Sequence, residues 1–301
     1  ALYVSLGRQL VPLVAEYRAE VQDQARSLLK MPVELGSLEG HWEGFSPRLV
    51  AHDVILGDGD AAIRLDRLEL VPDVMGSLSS RQPRLESLAF SGLQLSLVQN
   101  ADGKWHVDGL PERGDQPPPD VAKLFEQLRR VRQVQLLDSQ ITIQAQAAAP
   151  LTLTYANLAL GIVGERLRLD GRVLLPDGQP LSLRAQTKLQ VPDWQSSEAE
   201  LYLSLPQSDW ASWLPASLLG DWKLAQLRAG GEVWLEWRER GLARAVARLN
   251  APSLRFGRQQ QGLVSIDDLA VNAYLDRVDD GYRLQLNGLA FTFEENRWQD
   301  T

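Results

Sequence analysis

Residues 88–97 read LAFSGLQLSL and residues 284–293 read LQLNGLAFTF, two near copies almost 200 residues apart. In each, apolar side chains stand at i and i+2 and then at i+5 and i+7, so the two-residue period of a flat strand is broken once, at a glycine. One extra residue at the break returns the later apolar positions to the face of the earlier ones, and glycine tolerates the dihedrals that such a bulge requires. The unit reads as a bent strand with one apolar face. Leu88, Phe90, Leu93, Leu95 and Leu97 are expected to point one way, and Leu284, Leu286, Leu289, Phe291 and Phe293 likewise.

The same form begins again at Val33 (VELGSLEG), Leu49 (LVAHDVIL), Ile63 (IRLDRLEL), Leu153 (LTYANLAL), Leu249 (LNAPSLRF) and Val264 (VSIDDLAV), with Gly, Asp, Asn, Ser or Arg at the break. Turns such as Asp102-Gly103, Asp177-Gly178 and Asp279-Asp280-Gly281 separate the units, and together they predict a mainly β chain with a few α-helices. Two architectures satisfy the pattern. A β-sandwich or barrel buries each apolar face against another sheet. A long, twisted antiparallel sheet curled into an apolar groove leaves that wall exposed unless a ligand fills it.

Helical spacing is confined to short stretches. Leu10, Leu13, Val14, Tyr17, Val21, Ala25 and Leu28 recur every three or four residues, predicting one amphipathic helix over 9–29 that stops at Met31-Pro32. A second is expected over 120–132, with Asp120 as N-cap and Val121, Leu124, Phe125, Leu128 and Val131 on one stripe. A third, over 208–219, is interrupted by Pro215. The run 111–120 (PERGDQPPPD) cannot join a ladder and reads either as a loop or as a boundary. The expected division is an N-terminal membrane-proximal helix at 1–30, a first β module at 31–110, this Pro-rich stretch at 111–120, and a second β module with its own helix at 121–301.

Composition narrows the chemistry. The 301 residues carry 31 Lys and Arg against 39 Asp and Glu, a net charge of -8, opposite to what phosphate neutralisation along a nucleic acid requires. The absence of cysteine removes thiol catalysis, thiolate metal sites, iron-sulfur clusters and disulfides. No apolar run reaches the roughly 18–20 residues that span a bilayer; the stretch 1–15 is broken by Arg8 and Pro12, although the opening ALYVSLG suggests the trimmed end of a longer hydrophobic segment. His41, His52 and His106 share no metal-ligand spacing, and no nucleophile elbow, Walker loop or dinucleotide fingerprint occurs. Asp58 and Asp60 resemble the start of a calcium loop without its later ligands and read as a hairpin turn. No cofactor is expected. Nine tryptophans allow an aromatic sugar platform, but core and rim packing accounts for them as well. In GGEVWLEWRERG the two-residue period places Trp234 and Glu236 on one face and Val233, Leu235 and Trp237 on the other.

Several segments carry a family likeness. RQLVPLVAEYRAEV from Arg8, LLKMPVELGSLEGHWEGFSPRLVAHDVIL from Leu28, PRLESLAFSGLQLSLVQNADGKWHVDGL from Pro83, LPASLLGDWKLAQLRAGGEVWLEWRERGL from Leu214 and the terminal DDGYRLQLNGLAFTFEENRW resemble the N-terminal part of the YhdP proteins of the AsmA-like group. The most specific elements are Gly40, Trp42, Gly44 and Pro47, and the strand-turn-strand ending in Asp102-Gly103 and Trp105. The resemblance implies a fragment of a longer periplasmic protein, anchored to the inner membrane by a segment before Ala1. It also implies a β-groove that moves phospholipid between inner and outer membrane without catalysis. Such a groove spares each 16-carbon acyl chain an aqueous exposure costing roughly 13 kcal/mol.

The expected lining is Leu88, Phe90, Leu93, Leu95, Leu97, Leu153, Tyr155, Leu158, Leu160, Val264, Ile266, Leu284, Leu286, Leu289, Phe291 and Phe293. Expected partners are phospholipid acyl chains, the inner membrane and other envelope proteins. The rival reading is a structural or protein-interaction β-sandwich of the cell envelope, and a carbohydrate-active β protein ranks behind both.

Overall fold

The computed structural model describes residues 15–29, 31–43, 46–59, 62–82, 84–110, 130–146, 149–188, 196–213, 221–258, 262–279 and 281–300. Sixteen strands and two α-helices are assigned among them. The chain divides into two compact units, 1–164 and 165–301. The Pro-rich stretch 111–120 lies outside the described residues.

The first unit contains helix α1 (Arg18–Leu29), strands β1 (Val33–Glu43), β2 (Ser46–Leu56) and β3 (Ile63–Pro72), and helix α2 (Val74–Ser80). Strands β4 (Leu85–Ser91), β5 (Gln94–Gln99), β6 (Trp105–Val107), β7 (Val131–Gln144) and β8 (Leu151–Val163) follow. Strands β1 to β4 form an antiparallel meander. Both β4 and β5 then pair with β7 in parallel, which departs from the wholly antiparallel expectation. The reason is topological: after the β5–β6 hairpin the chain re-enters the sheet in the direction of β4 and β5, and a parallel neighbour needs a crossover rather than a tight turn.

The second unit is antiparallel throughout. It comprises β9 (Arg166–Leu174), β10 (Pro180–Lys188), β11 (Glu198–Asp209), β12 (Trp222–Arg238), β13 (Gly241–Arg258), β14 (Val264–Val278), β15 (Gly281–Phe293) and β16 (Asn296–Gln299), each paired with the next.

Seven of the eight repeats lie within single strands, the one from Leu88 runs from β4 across Gly92 into β5, and register skips or left-handed residues mark the breaks. In the first unit the register skips at Gly36 opposite Asp53, and the backbone turns left-handed at Asp53 (φ 50°), Gly92 (φ 66°), Asp138 (φ 46°) and Tyr155 (φ 46°). In the second it does so at Asp268 (φ 51°) and Gly288 (φ 59°). Asp and Gly accept this conformation readily, whereas a bulky aromatic such as Tyr155 rarely does.

The helices differ from expectation in instructive ways. Of the helix expected over 9–29, residues 9–14 lie outside the described set, 15–17 form a 3-10 turn, and α1 accounts for the rest. It packs along β1 through polar side chains: Arg18 donates to the carbonyls of Leu35 (3.1 Å) and Gly36 (2.7 Å), and Arg26 to that of Val33 (2.9 Å). Gln22 accepts from the Leu35 amide at 3.1 Å. These residues, four apart, form one stripe that satisfies the edge of β1. From the expected apolar stripe Ala25 packs on the core, while Tyr17 and Val21 are exposed.

The helix expected over 120–132 falls outside the described residues up to 129, and Val131 already belongs to β7, paired with Leu85. Over 208–219, Ser208 and Asp209 end β11 and only a single 3-10 turn follows, at Ala211–Trp213; 214–219 lie outside the described residues. Helix α2 was not expected. Its signal is Asp73, whose carboxylate accepts from the Gly76 amide at 2.7 Å as an N-cap.

Candidate functional site: an apolar sheet face

Residues directly opposite one another in a ladder project to the same side, so the register determines the make-up of each face. In the first unit one row runs Leu38, Ala51, Leu68, Phe90, Leu136, Leu158 across β1, β2, β3, β4, β7 and β8. A second runs Leu49, Leu70, Leu88, Val134, Leu160. Beyond the bend, Leu95 joins Ile141 and Leu153, and Leu97 joins Ile143 and Leu151. Leu93 lies at the bend and packs on the cluster of Val33, Leu35, Leu38, Ala51, Val54 and Leu65 that closes this face at its β1–β3 side. Leu88, Phe90, Leu93, Leu95 and Leu97 therefore share one face despite the broken period.

The second unit repeats the arrangement over more strands. One row runs Leu169, Ala185, Leu201, Leu235, Ala245, Leu275, Leu284 from β9 to β15. The next contains Leu183, Leu203, Val233, Ala247, Ala273 and Leu286. Past the bend, Leu254 faces Ile266 and Phe256 faces Val264. Ala290 and Thr292 pair with Ala270 and Asp267 on the opposite face, which leaves Leu289, Phe291 and Phe293 on the apolar one. Phe291 stacks on Trp298 of β16, ring centroids 6.4 Å apart.

This second face is not sealed. Among the described residues of this unit, only Val173, Leu175 and Ala251 are buried hydrophobics; Leu169, Leu201, Leu235 and Leu275 are half-buried, and Leu284 and Leu286 reach 60% and 46% exposure on β15, whose first eight residues are exposed on both faces. A closed sandwich would bury such rows on both inner faces.

The opposite face carries the charge. Asp170 accepts from Arg168 at 2.6 Å and 3.0 Å and from Arg184 at 2.8 Å, Arg244 donates to Asp276 at 2.7 Å, and the Tyr202 hydroxyl donates to Glu232 at 2.8 Å. The hydrogen bond from Arg168 holds the Asp170 carboxyl below the ordinary carboxylate range, and the bond to Glu232 raises the Tyr202 phenol. Trp234 lies on this face, as its alternation predicts, with the Arg248 guanidinium 5.2 Å above its ring and Tyr202 5.4 Å away. Arg258 likewise covers Trp222 at 5.2 Å. One face of each indole is thus covered by a neighbouring arginine, while Trp222 stays 46% exposed.

Of the expected lining residues, Tyr155 departs from its row. It is 63% exposed and left-handed, and Ala156, fully buried opposite Ser139, takes the place in the face between Leu153 and Leu158. The bulge in β8 thus comes two residues earlier than the period of the other repeats suggests. The rows of β9 to β12 lie outside the repeats because Leu169, Leu183, Leu201 and Leu235 belong to strands that alternate without the i+5 step; plain two-residue alternation is the signal for them. No group of three or more His, Asp and Glu among the described residues is placed to hold a metal, and no described helix is long and apolar enough to cross a membrane.

A family model described as YhdP protein matches residues 1–301. The chain is 24% identical over 321 residues to the Intermembrane phospholipid transporter YhdP of Escherichia coli (strain K12), a match covering 99% of this chain and 23% of that protein. The chain thus spans about a quarter of the length of that curated relative. No solved structure matches it. With the family model covering the whole sequence, the chain belongs to the YhdP family.

Proposed function

We propose that this chain is a non-enzymatic segment of an intermembrane phospholipid conduit, whose apolar sheet face accompanies acyl chains while headgroups stay in water. The observation that carries the reading is the unsealed apolar face of the second unit, where rows of leucine, valine and alanine run across seven and six strands and end on Leu284 and Leu286, 60% and 46% exposed. A soluble protein rarely leaves so continuous an apolar surface without an occupant. The name of the Escherichia coli relative supplies the occupant's class. Chemistry at acyl chains needs no titratable group on this face, and the charged pairs of Asp170, Asp276 and Glu232 lie on the other one.

In this reading the chain works in the periplasm of a longer protein held at the inner membrane, and Leu88, Phe90, Leu93, Leu95, Leu97, Leu153, Leu158, Leu160, Val264, Ile266, Leu284, Leu286, Leu289, Phe291 and Phe293 contact lipid. Native mass spectrometry and lipid extraction of the purified chain test it. Retained phospholipid at defined stoichiometry is the expected result, and a lipid-free chain that also fails to take up phospholipid from micelles removes the conduit.

A further inference from the structure

Strand ends on one side of the first unit's sheet bring together the end of β3, the start of β4, the start of β7 and the end of β8. Helix α2 occupies the β3–β4 connection there, and its Met75 and Leu78 are 70% and 71% exposed. Three residues apart, they lie on the same side of the helix. The connection is fixed to the sheet by backbone bonds: the Asp73 amide donates to the Arg84 carbonyl (3.0 Å) and the Leu85 amide to that of Arg130 (2.9 Å), while the Arg84 amide donates to the Ser77 hydroxyl (2.9 Å). Arg81 and Arg84 lie in the same connection and Arg130 and Arg132 at the start of β7 beside Leu85, all exposed and none in an ion pair among the described residues. The carboxylates at this rim are Asp73, committed to its cap, Glu86, and Glu165 two residues beyond β8, which pairs with Lys188 at 3.1 Å.

The other end of the same strands has the opposite sign. Asp58, Asp102 and Asp108 stand there with Lys104 and Arg64. In a chain of net charge -8, a basic rim around exposed apolar side chains is a local exception. Helix α1 also runs with its N-terminal end toward the basic rim, since Arg26 bonds at Val33 and Arg18 at Leu35 and Gly36, further along β1.

We propose that this rim is a docking surface for an anionic phospholipid bilayer. Met75 and Leu78 enter the headgroup boundary, and the four arginines pair with lipid phosphates. Apolar side chains flanked by cations whose charge reaches the surface are the signature of an interfacial contact, and no carboxylate of the described rim is free to oppose it beyond Glu86. The inference goes beyond the conduit reading and stands without it, because it concerns the outside of one end of the sheet and not the apolar face.

The test is co-sedimentation of the 301-residue chain with vesicles containing phosphatidylglycerol, compared with pure phosphatidylcholine vesicles. Binding to the anionic vesicles that falls at high salt is expected. Replacing Arg81, Arg84, Arg130 and Arg132 together by Gln should weaken it by several hundredfold, at about fivefold per cation. Met75→Asp with Leu78→Asp should weaken it with an unchanged melting temperature, because both side chains are exposed. Every variant retains the apolar sequence before residue 18, so differences between them report on the rim alone. Equal partitioning of parent and variants, equal binding to neutral vesicles, or no vesicle binding at all overturns the proposal, the last case leaving the rim to a protein partner. Lipid content of the purified chain is measured in parallel: unchanged content in a variant that has lost vesicle binding separates the rim from the conduit.

Discussion

Gly36 of β1 lies so close to Asp53 of β2 that a Cβ on the glycine would stand 2.8 Å from the aspartate Cβ. Asp53 itself has φ 50°, so the two residues form one bend seen from neighbouring strands. The glycine makes room and the aspartate makes the turn.

Substitutions at this pair should therefore separate space from dihedral. Gly36→Ala pushes β1 from β2 and is expected to cost on the order of 1–3 kcal/mol by overpacking. Asp53→Val places a β-branched residue in the left-handed region and should cost about 1–2 kcal/mol, whereas Asp53→Gly should be neutral or slightly stabilising. Thermal melts of the three variants give the order directly. An Asp53→Val variant that melts with the parent would mean that the bend does not depend on that dihedral.

Helix α1 makes a second claim that can be checked. Arg18→Ala and Arg26→Ala each remove a side-chain bond to the β1 backbone and should cost about 1 kcal/mol apiece. They also expose an unpaired strand edge, so self-association in size-exclusion chromatography is expected to rise with the double variant. Val21→Asp, on the 40% exposed side, should stay within about 0.5 kcal/mol of the parent. If Val21→Asp unfolds the chain while the arginine variants melt like the parent, the helix docks by its apolar stripe after all.

These two cases show why the sequence was more legible in its strands than in its helices. The i, i+2, i+5, i+7 spacing reports a local property, the extra residue of a bulge, and Gly92 and Gly288 mark it in plain view. The parallel entry of β7 was not visible, because pairing between Phe90 and Leu136 depends on where a crossover returns and not on any pattern within either strand. In the described part of the helix expected over 9–29, Tyr17 and Val21 of the stripe stay exposed for a related reason. An apolar stripe predicts burial only when a surface is there to receive it, and here the nearest element presents a strand edge, which attracts Arg18, Gln22 and Arg26 instead. Tyr155 leaves its row because its bulge precedes the expected break, and no residue type at 155 announces a left-handed turn.

Asp170 provides a pH-dependent prediction. Its folded pKa lies below the ordinary value, chiefly through the hydrogen bond from Arg168, so its contribution is present above the unfolded pKa and is lost as pH falls through the folded one. The carboxylate is 39% exposed and solvent screens it, which limits the contribution to under about 1 kcal/mol. The unfolding free energies of parent and Asp170→Asn should differ at neutral pH and converge in acid. A difference that stays constant down to strongly acidic pH would assign the effect to packing instead of charge.

The apolar face itself is tested by placing one charge at two positions that the conduit distinguishes. Val54 belongs to the sealed cluster of the first unit at 2% exposure, and Leu286 lies on the unsealed face of the second at 46%. Val54→Asp buries a carboxylate without a partner and should cost several kcal/mol or prevent folding. Leu286→Asp already has water beside it, so its melting temperature should change little, yet it places a charge in the path of an acyl chain. The expected result is a folded Leu286→Asp chain that has lost retained phospholipid. A photo-crosslinking residue at 286 should capture phospholipid in the otherwise unchanged chain, whereas one at Gln285, on the opposite face, should not. If Leu286→Asp fails to fold as Val54→Asp does, the face is sealed in solution and the β-sandwich reading returns. If it folds and still retains lipid at the parent's stoichiometry, the lipid sits elsewhere on the chain.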